Sequence, residues 1–185
     1  MTPGPSTPPT EEPGPASTVY RVEHENVPLA IYSPGTGCGD SIAVDFDGDP
    51  SGNGPPITRL VPDDDQDDLS ADERDAIDMY YTACGWDATL SVAAGAKVGL
   101  LSKTEAGAQV TPERCAAAAS GASIGGALRI DERADPEVAG FEVGASLCAV
   151  TPQGRVAKAT ITRITFDDDH HALVRFTLTT WVRES

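Results

Sequence analysis

The chain has 185 residues, 29 of them acidic and 13 basic, and its formal charge of −16 excludes a nucleic-acid duplex or an anionic bilayer as a natural partner, since no basic stripe offsets it. No apolar run approaches the roughly 20 residues a helix needs to cross a bilayer, and neither a charged n-region nor an apolar h-region follows Met1. Any membrane association is expected to run through an anchor that this chain lacks.

Residues 1–17 carry six prolines among the first fifteen residues and almost nothing apolar. Such a segment cannot bury enough surface to offset its ordering entropy and favours extended conformations, so it reads as a Pro/Thr-rich linker or stalk. Residues 18–185 are the size of one globular domain. Ser17–Val22 alternates as a short strand, and Val27–Tyr32 is a second apolar segment whose Pro28 limits it to a strand start or a sheet edge. Ser41–Phe46 is a firmer strand, with Ile42, Val44 and Phe46 on one face.

The sequence leaving that strand, DFDGDPSGNG, sets carboxylates at Asp45, Asp47 and Asp49, alternate positions that can converge on one hard cation. It is not an EF-hand: counting from Asp45, the sixth and twelfth positions are Pro50 and Pro56 where Gly and Glu are required. A looser calcium site over residues 45–53, helped by Ser51, Asn53 or backbone carbonyls, competes with a plain acidic turn. The run Asp63–Asp68 reads as a solvated loop.

Ser70 with Glu73 three residues on forms a capping box, and the spacing predicts a helix over residues 70–81 with Ala76, Ile77, Tyr80 and Tyr81 on one face. Trp86–Val92 reads as a strand, and Ala93–Leu101 as a Gly-interrupted apolar run. A second helix starts at Thr111 with Pro112 at its first position and ends at Ser120-Gly121. Ser123–Ile130 is a weak strand, and Asp131–Pro136 a loop. Three strands close the chain at 146–150, 155–165 and 172–182, broken at Thr151-Pro-Gln-Gly154 and at Phe166–His171, which predicts an antiparallel meander. The fold class is therefore α+β, mostly antiparallel β as a sandwich or meander, with two short helices.

The four cysteines, Cys38, Cys84, Cys115 and Cys148, contain no CxxC pair, a poor fit to a thiolate zinc site. An even number behind a Pro-rich stalk favours two disulfides outside the cytoplasm over four buried thiols. Residues alone leave three connectivities open.

Gly95-Ala-Lys-Val-Gly-Leu-Leu101, Thr111-Pro-Glu-Arg-Cys115-Ala-Ala117, Gly144-Ala-Ser-Leu-Cys148-Ala-Val-Thr151-Pro-Gln-Gly154-Arg155-Val-Ala157 and the closing Thr180-Trp181 resemble a module of actinobacterial membrane-tethered and secreted proteins, among them extracytoplasmic domains of transmembrane signalling proteins. Its loose pattern is T-x-x-x-C, then L-C-V-x-T-x-x-G-R-x-A, then a strand ending in Trp. The match covers about residues 86–182, with Ala149 where a bulkier residue is usual. The resemblance implies an extracytoplasmic, β-rich body in which Cys115 pairs with Cys148, leaving Cys38 for Cys84, all four as structural staples. It brings no catalytic residue with it.

An enzyme would have to use His24, His170 or His171 as its base, yet no nucleophile motif accompanies them. The histidines at 170 and 171 sit in a polar break and read as solvated. The expectation is a non-catalytic, monomeric sensor or binding domain, displayed on its stalk and regulating a linked membrane or signalling protein. Its partner would be a protein or a small cell-wall or extracellular ligand, and no cofactor is expected beyond Ca²⁺ at Asp45, Asp47 and Asp49. The alternatives are a calcium-dependent binding module built on the 45–53 loop, a hydrolase using His170 or His171, and a passive surface domain.

Overall fold

The computed structural model describes residues 18–35, 38–48, 55–107, 109–121, 124 and 126–184. The Pro-rich segment 1–17 and residues 49–54 lie outside that set. Ten strands follow one another as β1 Tyr20–Ile31, β2 Ser41–Asp45, β3 Ile57–Val61, β4 Met79–Cys84, β5 Asp87–Val92, β6 Lys97–Leu101, β7 Ala127–Arg129, β8 Ser146–Val150, β9 Val156–Phe166 and β10 Ala172–Arg183. They form two five-stranded sheets, ordered β1-β10-β9-β8-β6 and β3-β2-β4-β5-β7. Every pairing is antiparallel. The short helices are α1 Ala71–Asp75, α2 Lys103–Ala106 and α3 Pro112–Ser120.

Period-two alternation decides which side chains meet between the sheets. Ile42, Val44, Tyr81 and Leu90 from one sheet pack into one core with Leu147, Ile161, Phe176 and Leu178 from the other. Tyr81 keeps its polar end satisfied there, its hydroxyl donating to the Ala172 carbonyl at 2.9 Å. β2 is buried on both faces because the connection from β3 to β4 folds over its outer side, where Ala43 packs with Val61, Ile77 and Ala93.

The helices follow local chemistry. α3 begins where the Thr111 hydroxyl accepts from the Arg114 N–H at 3.3 Å, with Pro112 in its first turn. It lies against β6, β8 and β9, over a small second core of Cys115, Cys148, Val156 and Trp181. That approach is close at Gly99 of β6, where a Cβ would fall well inside contact distance of the Ala118 carbonyl oxygen. Gly99→Ala is expected to displace α3 and cost about 2 kcal/mol, as overpacking against an unyielding backbone does. Urea denaturation measures it, and an unchanged midpoint would show that α3 docks elsewhere.

The predicted helix over 70–81 is cut short. The capping box is present, with Ser70 and Glu73 each bonding the other's backbone, but helical structure ends at Asp75. Met79–Cys84 is instead the second sheet's central strand, with Tyr80 and Tyr81 on opposite faces. The apolar residues at 76, 77, 80 and 81 fit both periods, and the β-pairing of Tyr81 with Ile42 and Leu90 prevailed. The two separate segments expected in residues 17–32 form one strand with two register shifts and Asn26 at φ 56°. That strand is a sheet edge, as Pro28 requires. A third helix, α2, has its own capping box of Ser102 and Glu105. A 3₁₀ turn at Glu132–Ala134 occupies part of the expected 131–136 loop.

Two disulfides join Cys38 to Cys84 and Cys115 to Cys148, the pairing that the resemblance implies. Such bridges are typical of oxidising, extracellular environments. Among the described residues, no helix is long and apolar enough to cross a membrane.

Candidate metal centre

β2 runs out of its sheet through Asp45-Phe-Asp-Gly48. Phe46 enters the main core, and the flanking aspartates converge with Asp78, which immediately precedes β4. Two local devices hold this arrangement. The Asp45 side chain closes an Asx-type turn, its Oδ1 accepting from the N–H groups of Asp47 at 3.1 Å and Gly48 at 2.7 Å. Gly48 takes φ 82°, a conformation only glycine adopts without strain. Asp78 is placed by strand register: Val44 pairs with Met79, and the Asp78 N–H donates to the Val44 carbonyl at 2.9 Å. Its Oδ2 then accepts from the Phe46 N–H at 2.8 Å.

One carboxylate oxygen from each of Asp45, Asp47 and Asp78 lies within 4.8 Å of the others. Asp47 and Asp78 are 0% exposed and Asp45 6%. Both oxygens of Asp47, and Oδ1 of Asp78, have no hydrogen-bond partner among the described residues. Buried carboxylate oxygens without partners are costly, and native proteins relieve that cost by protonation or by a cation.

The electrostatics point the same way. Burial pushes Asp78 well above the usual carboxylate range, against the pull of the Phe46 N–H. Burial and then the charge of Asp47 lift Asp45 to about 7. Burial also raises Asp47, opposed first by the nearby Thr151 hydroxyl, then by the Asp45 carboxyl, and less by the guanidinium of Arg155. Arg155 itself holds Glu23 in an ion pair at 2.7 Å, with both side chains 15% exposed. The Arg155 guanidinium thus stands among three carboxylates, Glu23, Asp45 and Asp47.

The donor set is all oxygen, which suits a hard cation. Around calcium, oxygens at about 2.3–2.6 Å from the ion stand up to about 5 Å apart across it, against about 4 Å for magnesium. A set whose members lie within 4.8 Å of one another falls inside the span of a calcium shell and would supply three of the roughly six to eight oxygens such a shell takes. On the outer side, a cleft of about 90 Å³ reaches Asp45 and Gly48 past the Arg59–Glu73 ion pair.

Of the aspartates expected to bind metal, Asp45 and Asp47 are in the cluster, while Asp49 lies outside the described residues, as do Ser51 and Asn53. Asp78 was not anticipated, because the helix predicted over 70–81 left it on a polar face. The available signal was a lone carboxylate between Ile77 and Met79, both of them buried. The acidic run folds in part as a 3₁₀ turn, Asp63–Asp65, and the Asp63 N–H donates to Asp40 Oδ1 at 3.1 Å.

The histidines are not gathered into one site. His24 Nδ1 contacts the Thr180 hydroxyl at 3.1 Å. His170 stacks on Trp86, with ring centroids 4.9 Å apart, and pairs with Glu132. His171 corrects the expectation of solvation: it is 3% exposed, with Nε2 2.9 Å from the Gly85 carbonyl and Nδ1 3.4 Å from the Ser33 hydroxyl. It braces the hairpin tip against the β4–β5 turn beside the Cys38–Cys84 bridge.

Compared with known proteins, the chain matches no family model, no curated protein and no solved structure.

Proposed function

We propose that this chain is a non-catalytic, extracytoplasmic binding module whose sandwich is locked by a calcium ion held by Asp45, Asp47 and Asp78. The observation that carries the reading is the convergence of one carboxylate oxygen from each of three buried aspartates to within 4.8 Å of one another, with oxygens of Asp47 and Asp78 left without hydrogen-bond partners among the described residues. The ion would tie the end of β2 to the start of β4. It would also neutralise an anionic group beside the Thr151–Arg155 turn, where the Arg155 N–H donates to the Thr151 hydroxyl at 3.1 Å. Two disulfides and a Pro-rich stalk support display outside the cytoplasm, where calcium is plentiful enough for a site of modest affinity. The engagement of all three histidines in packing or strut contacts favours binding over hydrolysis. Sensing for a linked membrane protein is the role that fits such a display.

Titration calorimetry on the EDTA-treated chain tests the reading. Calcium is expected to bind one to one, with a Kd of roughly 10⁻⁴–10⁻³ M, as in extracellular modules. Magnesium should bind more weakly, and Asp47→Asn or Asp78→Asn should abolish the heat. Absence of heat with calcium in the unsubstituted chain would overturn the proposal.

A further inference from the structure

We infer that the outer face of β1, β10 and β9, at the end carrying Arg163 and Arg175, is a recognition site for a dianionic ligand with an apolar body. The two arginines are direct cross-strand partners in the β9–β10 ladder, and both are exposed. Directly opposed like charges oppose sheet pairing, so their juxtaposition is unfavourable in the free domain. It also depends on an irregularity. The register steps from Arg175↔Arg163 to Phe176↔Ile161, leaving Thr162 as an extra residue in β9. A regular ladder continued from Phe176↔Ile161 would set Thr162 opposite Arg175. The bulge brings Arg163 there instead, and it is pinned by the Thr162 hydroxyl donating to the Arg175 carbonyl at 3.1 Å. Bulges re-aim side chains in this way beside binding sites.

Neither guanidinium forms an ion pair among the described residues; Arg59, Arg114, Arg129 and Arg155 do, while Arg21, Arg74, Arg133 and Arg183 also do not, so what sets this pair apart is their direct opposition in the ladder. In a chain with 29 acidic and 13 basic residues, two adjacent cations without carboxylates go against the composition. The register completes the surface. Ala30 lies opposite Arg175, Leu173 opposite Thr165, and Tyr32, 44% exposed, follows the end of β1. Together they line a groove of about 280 Å³. Ala30, a small residue in the same row, leaves the guanidiniums open, while Tyr32 and Leu173 offer apolar surface beside them. Guanidinium forks match carboxylate and phosphate oxygens, and two of them match a double negative charge. The ligand class is therefore a phosphomonoester or a dicarboxylate with an attached apolar group. This site lies on the opposite sheet from β2 and β4 and does not depend on the cation centre.

The test follows backbone amide shifts by NMR in the full chain, stripped of metal with EDTA and then dialysed free of it, since the chelator is itself a polycarboxylate. Phenyl phosphate and phthalate are the two probes, and inorganic phosphate is the control for the apolar body. Saturable shifts confined to Tyr32, Thr162, Arg163 and Arg175 and their neighbours are expected, weakened at least tenfold in Arg163→Gln or Arg175→Gln, as loss of a charge-assisted pair implies. Tighter binding of phenyl phosphate assigns the phosphomonoester class, tighter binding of phthalate the dicarboxylate class, and either exceeds inorganic phosphate. The glutamine variants replace exposed side chains and should melt no lower than the parent. Unsaturable shifts with both probes, or shifts that persist in the Arg163→Gln, Arg175→Gln double variant, would overturn the inference. Asp47→Asn should leave the readout unchanged, so the two sites succeed or fail separately.

Discussion

Calcium added to the metal-free chain at pH 8 is expected to raise Tm by about 5–10 °C when supplied at about a hundred times its Kd, and to do much less at pH 5. Binding to the folded state alone at that excess contributes about 2.7 kcal/mol, and a domain of this size gains about 2–4 °C per kcal/mol. The pH dependence follows from the carboxylates themselves. Asp45 sits at about 7 in the folded chain against an ordinary 3.8. Between those values the folded state binds more protons than the unfolded state, so stability is full below about pH 4 and is lost as pH rises through 7. At about 1.4 kcal/mol per unit, raising pH from 5 to 8 costs the metal-free domain about 3 kcal/mol from Asp45 alone. Asp78, also raised by burial, acts in the same direction. Carboxylates held low, such as Asp131 beside Arg129, act oppositely, but their contribution is complete above the ordinary carboxylate range. Asp47→Asn separates the terms. Without metal above pH 7 it should raise Tm, because it removes a buried charge and the repulsion on Asp45. In calcium it should abolish the gain. A Tm at pH 8 that calcium leaves untouched, together with a destabilised Asp47→Asn, would mean that the cluster is held by hydrogen bonds rather than by an ion.

Replacing Cys115 and Cys148 together with alanine should lower Tm by about 10 °C. The bridge closes a separation of 33 residues, for which the chain-entropy relation gives about 4 kcal/mol. Both cysteines are fully buried beneath α3, in the small core with Val156 and Trp181. Their loss therefore also leaves a void and weakens the hold on the helix. The 38–84 bridge closes a longer separation of 46 residues, but both its cysteines are exposed. Cys38→Ala with Cys84→Ala should thus cost no more, and only the 115–148 pair should change the near-ultraviolet signal of Trp181. Thermal melts of the two double variants decide it. Equal losses with unaltered Trp181 spectra would show that α3 is held without its bridge.

Much of the architecture was legible because it rests on local rules. The closing meander has strict alternation and clear turn residues, so β8, β9 and β10 fall within a residue of the expected bounds. α3 carries its start and stop in Thr111, Pro112 and Gly121. The resemblance supplied a disulfide pairing that cysteine spacing alone left open.

Other features needed the fold. Residues 76–81 fit a helical face and a strand equally well, and only the partners Ile42 and Leu90 selected the strand. That choice moved Asp78 from a supposed helix surface to the side of Asp45 and Asp47, residues more than thirty positions away. His171 reads as solvated in a polar break, yet the β4–β5 turn carries Gly85 over it and buries it. Arg163 and Arg175 look like two ordinary outward side chains until the bulge at Thr162 sets them opposite each other. Period, caps and turn residues act within a few positions, so the sequence by itself determined most strands, the α3 boundaries and two of the three cluster aspartates. Which strands pair, and in what register, is decided by burial between sheets, so only the tertiary structure placed the third carboxylate and the arginine pair.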